Sequence, residues 1–309
     1  MFILLNPNAG GGRALKRWKR IEREFFLRHG SAEIHIIESS TDQRVAVEQA
    51  IKSGQTDFLA AGGDGTLNAL VNLLVNVCGE HRRGRVRLGT LALGSSNDFH
   101  KPLEERDTLG GIACRADFGS ARPYDVGKVS YLVDGMRRTR YFIVNASAGV
   151  TAEANAFFNE PDAVLQGLRC FSTPMAILYA ACRTLVNYKN RPMRLRAGNV
   201  SPCWIALTNL SILKNPHTGG RFRYDTPVRE GDGRFALNLC EEFTRFEFLV
   251  LLVSLYRGHF SGMPKTRTWY ASSIHLAAEE QFAVECDGEV LQTSNAEFSI
   301  LHQYLQVCP

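Results

Sequence analysis

Apolar and polar positions in the first third of the chain repeat in the order short strand, glycine-rich turn, helix. Phe2–Leu5 is a short apolar run, the pattern of a buried strand, and Asn6 to Gly12 follows it as a glycine-rich loop. Leu15, Trp18, Ile21 and Phe25 then recur at helical spacing on a segment ending near His29-Gly30. Ala32, Ile34 and Ile36 alternate as in a strand. Thr41 is placed to cap a helix carrying Val45, Ala46 and Ala50, with Gly54 beyond its end. Asp57 to Ala61 reads as a third strand, and Leu67, Leu70, Val71 and Leu74 mark the helix after it. Val86 to Leu93 is a fourth strand. This order predicts a parallel, helix-covered sheet, the doubly wound α/β class.

Beyond about residue 119 strand patterns become denser. They cover Tyr124–Tyr131, Tyr141–Ala146, Trp204–Thr208, Phe235–Leu239, Trp269–Leu276 and Phe282–Cys286. Helical segments near 151–159, 174–187 and 244–257 intervene. The division is an α/β domain over 1–119 and a β-rich domain over 120–309, with the last residues as candidates for a return to the first domain. Phe246 to Tyr256 is the greasiest run and reads as a buried helix rather than a membrane contact or the lining of a lipid tunnel. A bilayer span needs roughly 20 apolar residues, so this run does not cross a membrane.

Three glycine loops, Asn6–Gly12, Gly62–Asn68 and Gly94–Asp98, follow strands of the first domain. Phosphates need many N–H donors and little side-chain bulk, which glycine loops at helix N-termini supply. In a doubly wound sheet the three gather at the carboxyl edge of the strands. No G-x-x-x-x-G-K-[ST] occurs, and Asn8 to Gly12 does not complete a dinucleotide fingerprint. Asp64 would repel a phosphate unless a cation lies between them, which favours a magnesium-linked nucleotide.

Asn6-Pro7-Asn8-Ala9-Gly10-Gly11-Gly12 resembles the N-P-x-x-G-x-G opening of the diacylglycerol kinase catalytic family, which includes bacterial lipid kinases and the related sphingosine and ceramide kinases. Gly62 to Asn68 is similar to its G-G-D-G-T-x-N signature, and Gly94 to Phe99 to its G-T-x-N-D-F loop. Tyr124-Asp125-Val126-Gly127, Asn145 to Gly149, Gly219-Gly220 with Asp232-Gly233, and Asp287-Gly288-Glu289 continue the likeness in order. Two positions depart from it. Ser95 stands where the family usually has Thr, and Ala69 where it usually has Glu.

The resemblance implies a phosphofructokinase-like N-terminal domain that binds ATP, a β-sandwich-like C-terminal domain, and a cleft between them where ATP and a lipid hydroxyl meet. By the same resemblance Asn6, Asn8, Gly10, Thr41, Gly62, Gly63, Asp64, Gly65, Thr66, Asn68, Ser95 and Asn97 line the ATP site. Asp64 positions the catalytic Mg2+, with Asp98 and Asp125 in support. Glu289 is the implied proton acceptor, with Asp287 sharing that site or taking the role instead. A second, structural Mg2+ would be held by Asp232 and the carbonyls of Arg229 and Arg234. The acceptor implied by default is diacylglycerol at a membrane surface. A small-molecule kinase of the NAD kinase type, which needs neither the Asn6 opening nor Asp287-Gly288-Glu289, is one alternative. A silent nucleotide or lipid sensor, supported by Ala69 alone, is another.

The composition fits this picture. Of 309 residues 45% are hydrophobic and 22% charged, as in a folded globular chain. A net charge of +5 suits anionic partners but is too scattered to argue for nucleic acid. Eight cysteines form no C-x-x-C pair and read as packed, reduced thiols of a cytoplasmic protein, with peripheral membrane association left open. His81, Arg82, Arg83, Arg85 and Arg87, and Arg137, Arg138 and Arg140, read as solvated basic faces.

Overall fold

The computed structural model describes residues 1–80, 84–102, 108–159, 162–171, 173–198 and 200–309; His81, Arg82 and Arg83 of the first basic cluster lie outside the described residues. Four parallel strands open the chain, Phe2–Leu5, Glu33–Ile36, Asp57–Gly62 and Arg87–Ala92. Phe2–Leu5 lies between the second and third, and Arg87–Ala92 follows the third outward. Alternation sorts their side chains. Phe2, Leu4, Phe58 and Ala60 face one side, where Val47, Ala50, Leu67 and Leu70 of helices Ser40–Lys52 and Asp64–Cys78 cover them. Ile3, Leu5, Leu59 and Ala61 face the other, under Ala14, Trp18, Ile21 and Phe25 of helix Ala14–His29. The sheet is therefore wound on both faces. Leu5 sits opposite both Ile36 and Ala61, and Gly62 opposite Ala92, so the loops leaving these strands share one edge. One local expectation is corrected here. The cap of Ser40–Lys52 is Ser39, whose Oγ accepts from Asp42 N, while Thr41 lies exposed in the first turn.

The β-rich part continues the same sheet. Its strands run in the order Thr266–Ala271, Phe235–Glu241, Val200–Leu213, Arg191–Ala197, Ser273–Cys286 and Glu289–Val307. Asn145–Gly149 packs in against both Val200–Leu213 and Ser273–Cys286. The 19-residue strand Glu289–Val307 is the hinge of the architecture. It pairs antiparallel with Ser273–Cys286 and with Arg122–Val133, then parallel with Arg87–Ala92 through Gln306 opposite Arg87 and Val307 opposite Leu88. A bulge between Leu301 and Leu305 shifts the phase of its burial, which hides it from a period-2 reading.

Two expected strands are broken. The run Tyr141–Ala146 stops at Phe142 and resumes at Asn145, because the amides of Ile143 and Val144 leave the ladder to bind a carboxylate. Trp269–Leu276 divides into Thr266–Ala271 and Ser273–Cys286. Helix Arg245–Tyr256 starts from a capping box between Thr244 and Glu247. Its expected burial holds for one face only. Phe248, Leu251 and Leu255 are buried, whereas Phe246 is 74% and Val253 53% exposed. A helix apolar on all sides gives periodicity nothing to resolve.

Candidate active site

The three glycine loops meet at the carboxyl edge and are built on one another. Asn6 Oδ1 accepts from Asn8 N at 3.0 Å, and Asn6 Nδ2 donates to Thr66 Oγ1 at 3.1 Å. Gly10 has φ +60, and a Cβ there would stand 2.6 Å from Leu93 O. The backbones of Gly63 and Gly94 pass so closely that a Cβ on Gly94 would overlap Gly63 Cα. Asn97, itself at φ 49, closes the third loop by donating to Gly94 O and accepting from Gly94 N. Only glycine permits these approaches.

Asp64 begins its helix at this junction. Its two carboxylate oxygens accept from Asp98 N at 3.0 Å and Phe99 N at 3.2 Å. Burial, then the nearby Asp98 charge, pushes its carboxyl above the usual range against those two N–H donors. Asp98 accepts from Gly220 N at 3.1 Å and pairs with Lys101 Nζ at 2.6 Å, and Lys101 also donates to Gly220 O. The third loop is thereby fastened to the β-rich part.

Across the cleft Asp287-Gly288 forms the hairpin turn between Ser273–Cys286 and Glu289–Val307, with φ of 50 and 89. The Asp287 carboxylate accepts from Ile143 N, Val144 N, Asn145 N and Asn68 Nδ2 at 2.8 to 3.0 Å. Burial pushes its pKa up to about 6, with those donors opposing the rise. Glu289, the next carboxylate, is open to solvent and pairs with Arg140 at 3.5 Å. Arg140 is thus more than part of a solvated face.

A cavity of about 490 Å3 joins these groups. Asp64, Ser95, Asp98, Glu285, Asp287 and Glu289 line its polar part. Val150, Ala154, Phe158, Phe248, Leu251 and Leu255 line the rest. Glu285 was not visible as a site residue in the sequence, where it is one polar position in a strand. It is buried, accepts from Ser147 Oγ at 2.8 Å and from Gly288 N, and burial pushes its pKa up to about 7, with the Asp287 and Asp98 charges adding to the rise.

Sequence profiles divide the chain into two matches. The diacylglycerol kinase catalytic domain covers residues 1–129, and the YegS C-terminal NAD kinase beta sandwich-like domain covers residues 144–309. The chain belongs to the family that joins a diacylglycerol kinase catalytic domain to a YegS-like C-terminal domain. Its relatives in that family include the diacylglycerol kinase of Staphylococcus haemolyticus, 27% identical over 99% of this chain and 87% of that protein. That of Staphylococcus carnosus is 25% identical over 99% and 93%. The crystal structure of a putative diacylglycerol kinase from Bacillus anthracis shares the fold, with a TM-score of 0.73 at 19% identity over 99% and 94% of the two chains.

Several residues read from the family pattern stand elsewhere than expected. Thr66 and Asn68 do not line the cavity. Both are buried behind the loop, Thr66 beneath Asn6 and Asn68 bonded to Asp287 and to Tyr141 O. Asp125 does not support Asp64. It is fully buried, and its oxygens accept from Lys214 Nζ, Gly233 N, Gln303 N and His302 Nδ1. Asp232 and the carbonyls of Arg229 and Arg234 do converge, but on Lys214 Nζ, at 3.4, 3.4 and 3.1 Å.

Proposed function

We propose that this kinase transfers the γ-phosphoryl group of ATP to a lipid hydroxyl, with diacylglycerol as the acceptor and Mg2+ as the cofactor. One observation carries the reading. The cavity that opens on the glycine loops and five carboxylates continues into an apolar chamber between helices Val150–Phe158 and Arg245–Tyr256. A polar alcohol head and an apolar chain fit those two parts in that order.

The residues support distinct roles. The amides of Gly63, Gly65 and Ser95 suit phosphate oxygens at the N-terminus of helix Asp64–Cys78. Asp64 keeps one lone pair on each oxygen after accepting from Asp98 and Phe99. A pair of crowded carboxylates, Asp64 and Asp98, fits a small hard cation, which when bound neutralises charge on the transferring phosphoryl group. Glu289 takes the proton of the acceptor hydroxyl as its oxygen bonds to phosphorus and the bond to ADP breaks. Arg140 holds Glu289 toward the cleft.

Helix Arg245–Tyr256 also supports a membrane-borne acceptor. It lines the chamber with Leu251 and Leu255 and shows Phe246, Val250, Val253 and Tyr256 to solvent. No helix among the described residues is long and apolar enough to cross a membrane.

The test is transfer of label from γ-labelled ATP with Mg2+ to diacylglycerol, a sphingoid base and glycerol. Labelled phosphatidic acid is the expected product. Glycerol labelled as fast as diacylglycerol would remove the lipid reading, and no labelled acceptor at all would remove the transfer itself.

A further inference from the structure

We infer that the ammonium of Lys214 is the resident cation of the β-rich domain, and that it stands where the family likeness places a structural Mg2+. The likeness assigns that ion to Asp232 and to the carbonyls of Arg229 and Arg234. Those three oxygens surround Lys214 Nζ, and Asp125 Oδ2 completes the set at 2.9 Å.

The geometry separates a lysine from a metal. Oxygens about an ammonium stand near 2.9 Å, whereas Mg2+ demands octahedral oxygens at about 2.0–2.1 Å. The four oxygens here lie 2.9 to 3.4 Å from the nitrogen that fills the space among them. No room is left for a second cation on the same ligands. The charge is also accounted for. Lys214 and Asp125 side chains are both 0% exposed, and burying either alone is costly, so each requires the other. Asp232 adds a second carboxylate at the solvent side.

The backbone fixes the lysine in place. Lys214 N donates to Asn145 Oδ1 at 3.1 Å and to Val144 O at 3.0 Å, directly after strand Val200–Leu213 ends. Gly233 N and Gln303 N hold Asp125 from the other side. The cluster ties Arg122–Val133, the 229–234 turn and Glu289–Val307 together, the task a structural ion would perform. Lys214 supplies it covalently.

The test uses full-length protein carrying Asp64→Asn, so that metal in the cleft does not confuse the count. After exchange into chelator and then into Mg2+, metal per chain is measured by mass spectrometry, and thermal unfolding is followed without nucleotide. The expected result is less than a tenth of an equivalent of Mg2+ and the same melting temperature in chelator and in Mg2+. One tightly held Mg2+ per chain, with a melting temperature that falls in chelator, overturns the inference. Lys214→Ala in the same background opens the site. It should melt lower in chelator and recover part of the loss in millimolar Mg2+ or Ca2+. A folded Lys214→Ala that ignores both ions also overturns it. Should Lys214→Ala be insoluble, the metal count and melt of the Lys214 protein decide alone.

Discussion

Asn68 donates its side-chain amide to Asp287 Oδ2 at 2.9 Å, linking helix Asp64–Cys78 to a hairpin 219 residues later. The same carboxylate accepts three consecutive backbone amides, from Ile143, Val144 and Asn145. A carboxylate has about four acceptor sites, and all four are taken. Asp287 has nothing left with which to receive a proton from an alcohol. We therefore propose Asp287 as a positioning residue of the hairpin, and Glu289, open to solvent beside Arg140, as the carboxylate that faces the acceptor.

Removing the latch should cost stability first. Asp287→Ala strands four buried donors and is expected to destabilise the fold by roughly 2–5 kcal/mol. Asn68→Ala removes one donor and should cost roughly 1–3 kcal/mol. Urea unfolding measures both. Wild-type stability in Asp287→Ala would contradict the positioning role.

Glu289→Gln should separate from them. The side chain is 58% exposed and pairs with Arg140 at 3.5 Å, so its melt should match wild type. Turnover should fall by roughly 10²–10⁴-fold, the usual worth of a general base. Asp64→Asn should also lose turnover, with KM for ATP-Mg2+ raised. Unchanged turnover in Glu289→Gln would move the proton-accepting role elsewhere in the cavity.

Glu285 is the carboxyl that would inherit it, and its titration gives a stability signature. Its pKa is raised from 4.5 to about 7 in the folded chain, because burial and then the Asp287 and Asp98 charges disfavour the ionised form. A raised folded value means the folded state holds the proton longer than the unfolded one. The stabilising contribution is whole below about pH 4.5 and is lost as pH rises through about 7. Glu285→Gln cannot ionise, so its stability relative to wild type should improve by about 3 kcal/mol between pH 4 and pH 9. A difference that stays flat across that range would mean Glu285 titrates normally.

Much of the first domain was legible because its signals are local. Each glycine loop follows its strand directly, and the parallel register that gathers the loops comes from that order alone. The family pattern carried the Asp287 hairpin as well. The relationships that escaped are those that sequence spacing does not encode. Lys214 and Asp125 are 89 residues apart, and an isolated lysine after an apolar strand looks like a surface charge. Asp125 matched a metal-bearing motif, yet the strand turns it away from Asp64 and onto Lys214. The long strand Glu289–Val307 was missed because its bulge breaks the alternation. Helix Arg245–Tyr256 was misjudged because an all-round apolar helix looks the same whether buried or half-exposed.

That half-exposed helix supports the last prediction. Phe246, Val250, Val253 and Tyr256 face outward, while Leu251 and Leu255 of the same helix face the chamber. A lipid leaving a bilayer would then pass from one face of the helix to the other without crossing water. Apolar side chains inserted at an interface contribute about 25 cal/mol per Å2 removed from water, so two charges in their place should weaken docking strongly. Phe246→Glu with Val253→Glu should cut the rate on diacylglycerol in vesicles by at least tenfold. The rate on a short-chain diacylglycerol dissolved as monomers should stay within about twofold, since neither residue lines the chamber. Measuring both substrates on one preparation distinguishes the cases. Equal losses on the two would mean the substitutions damage the site, and equal retention would mean the exposed face does not meet the membrane.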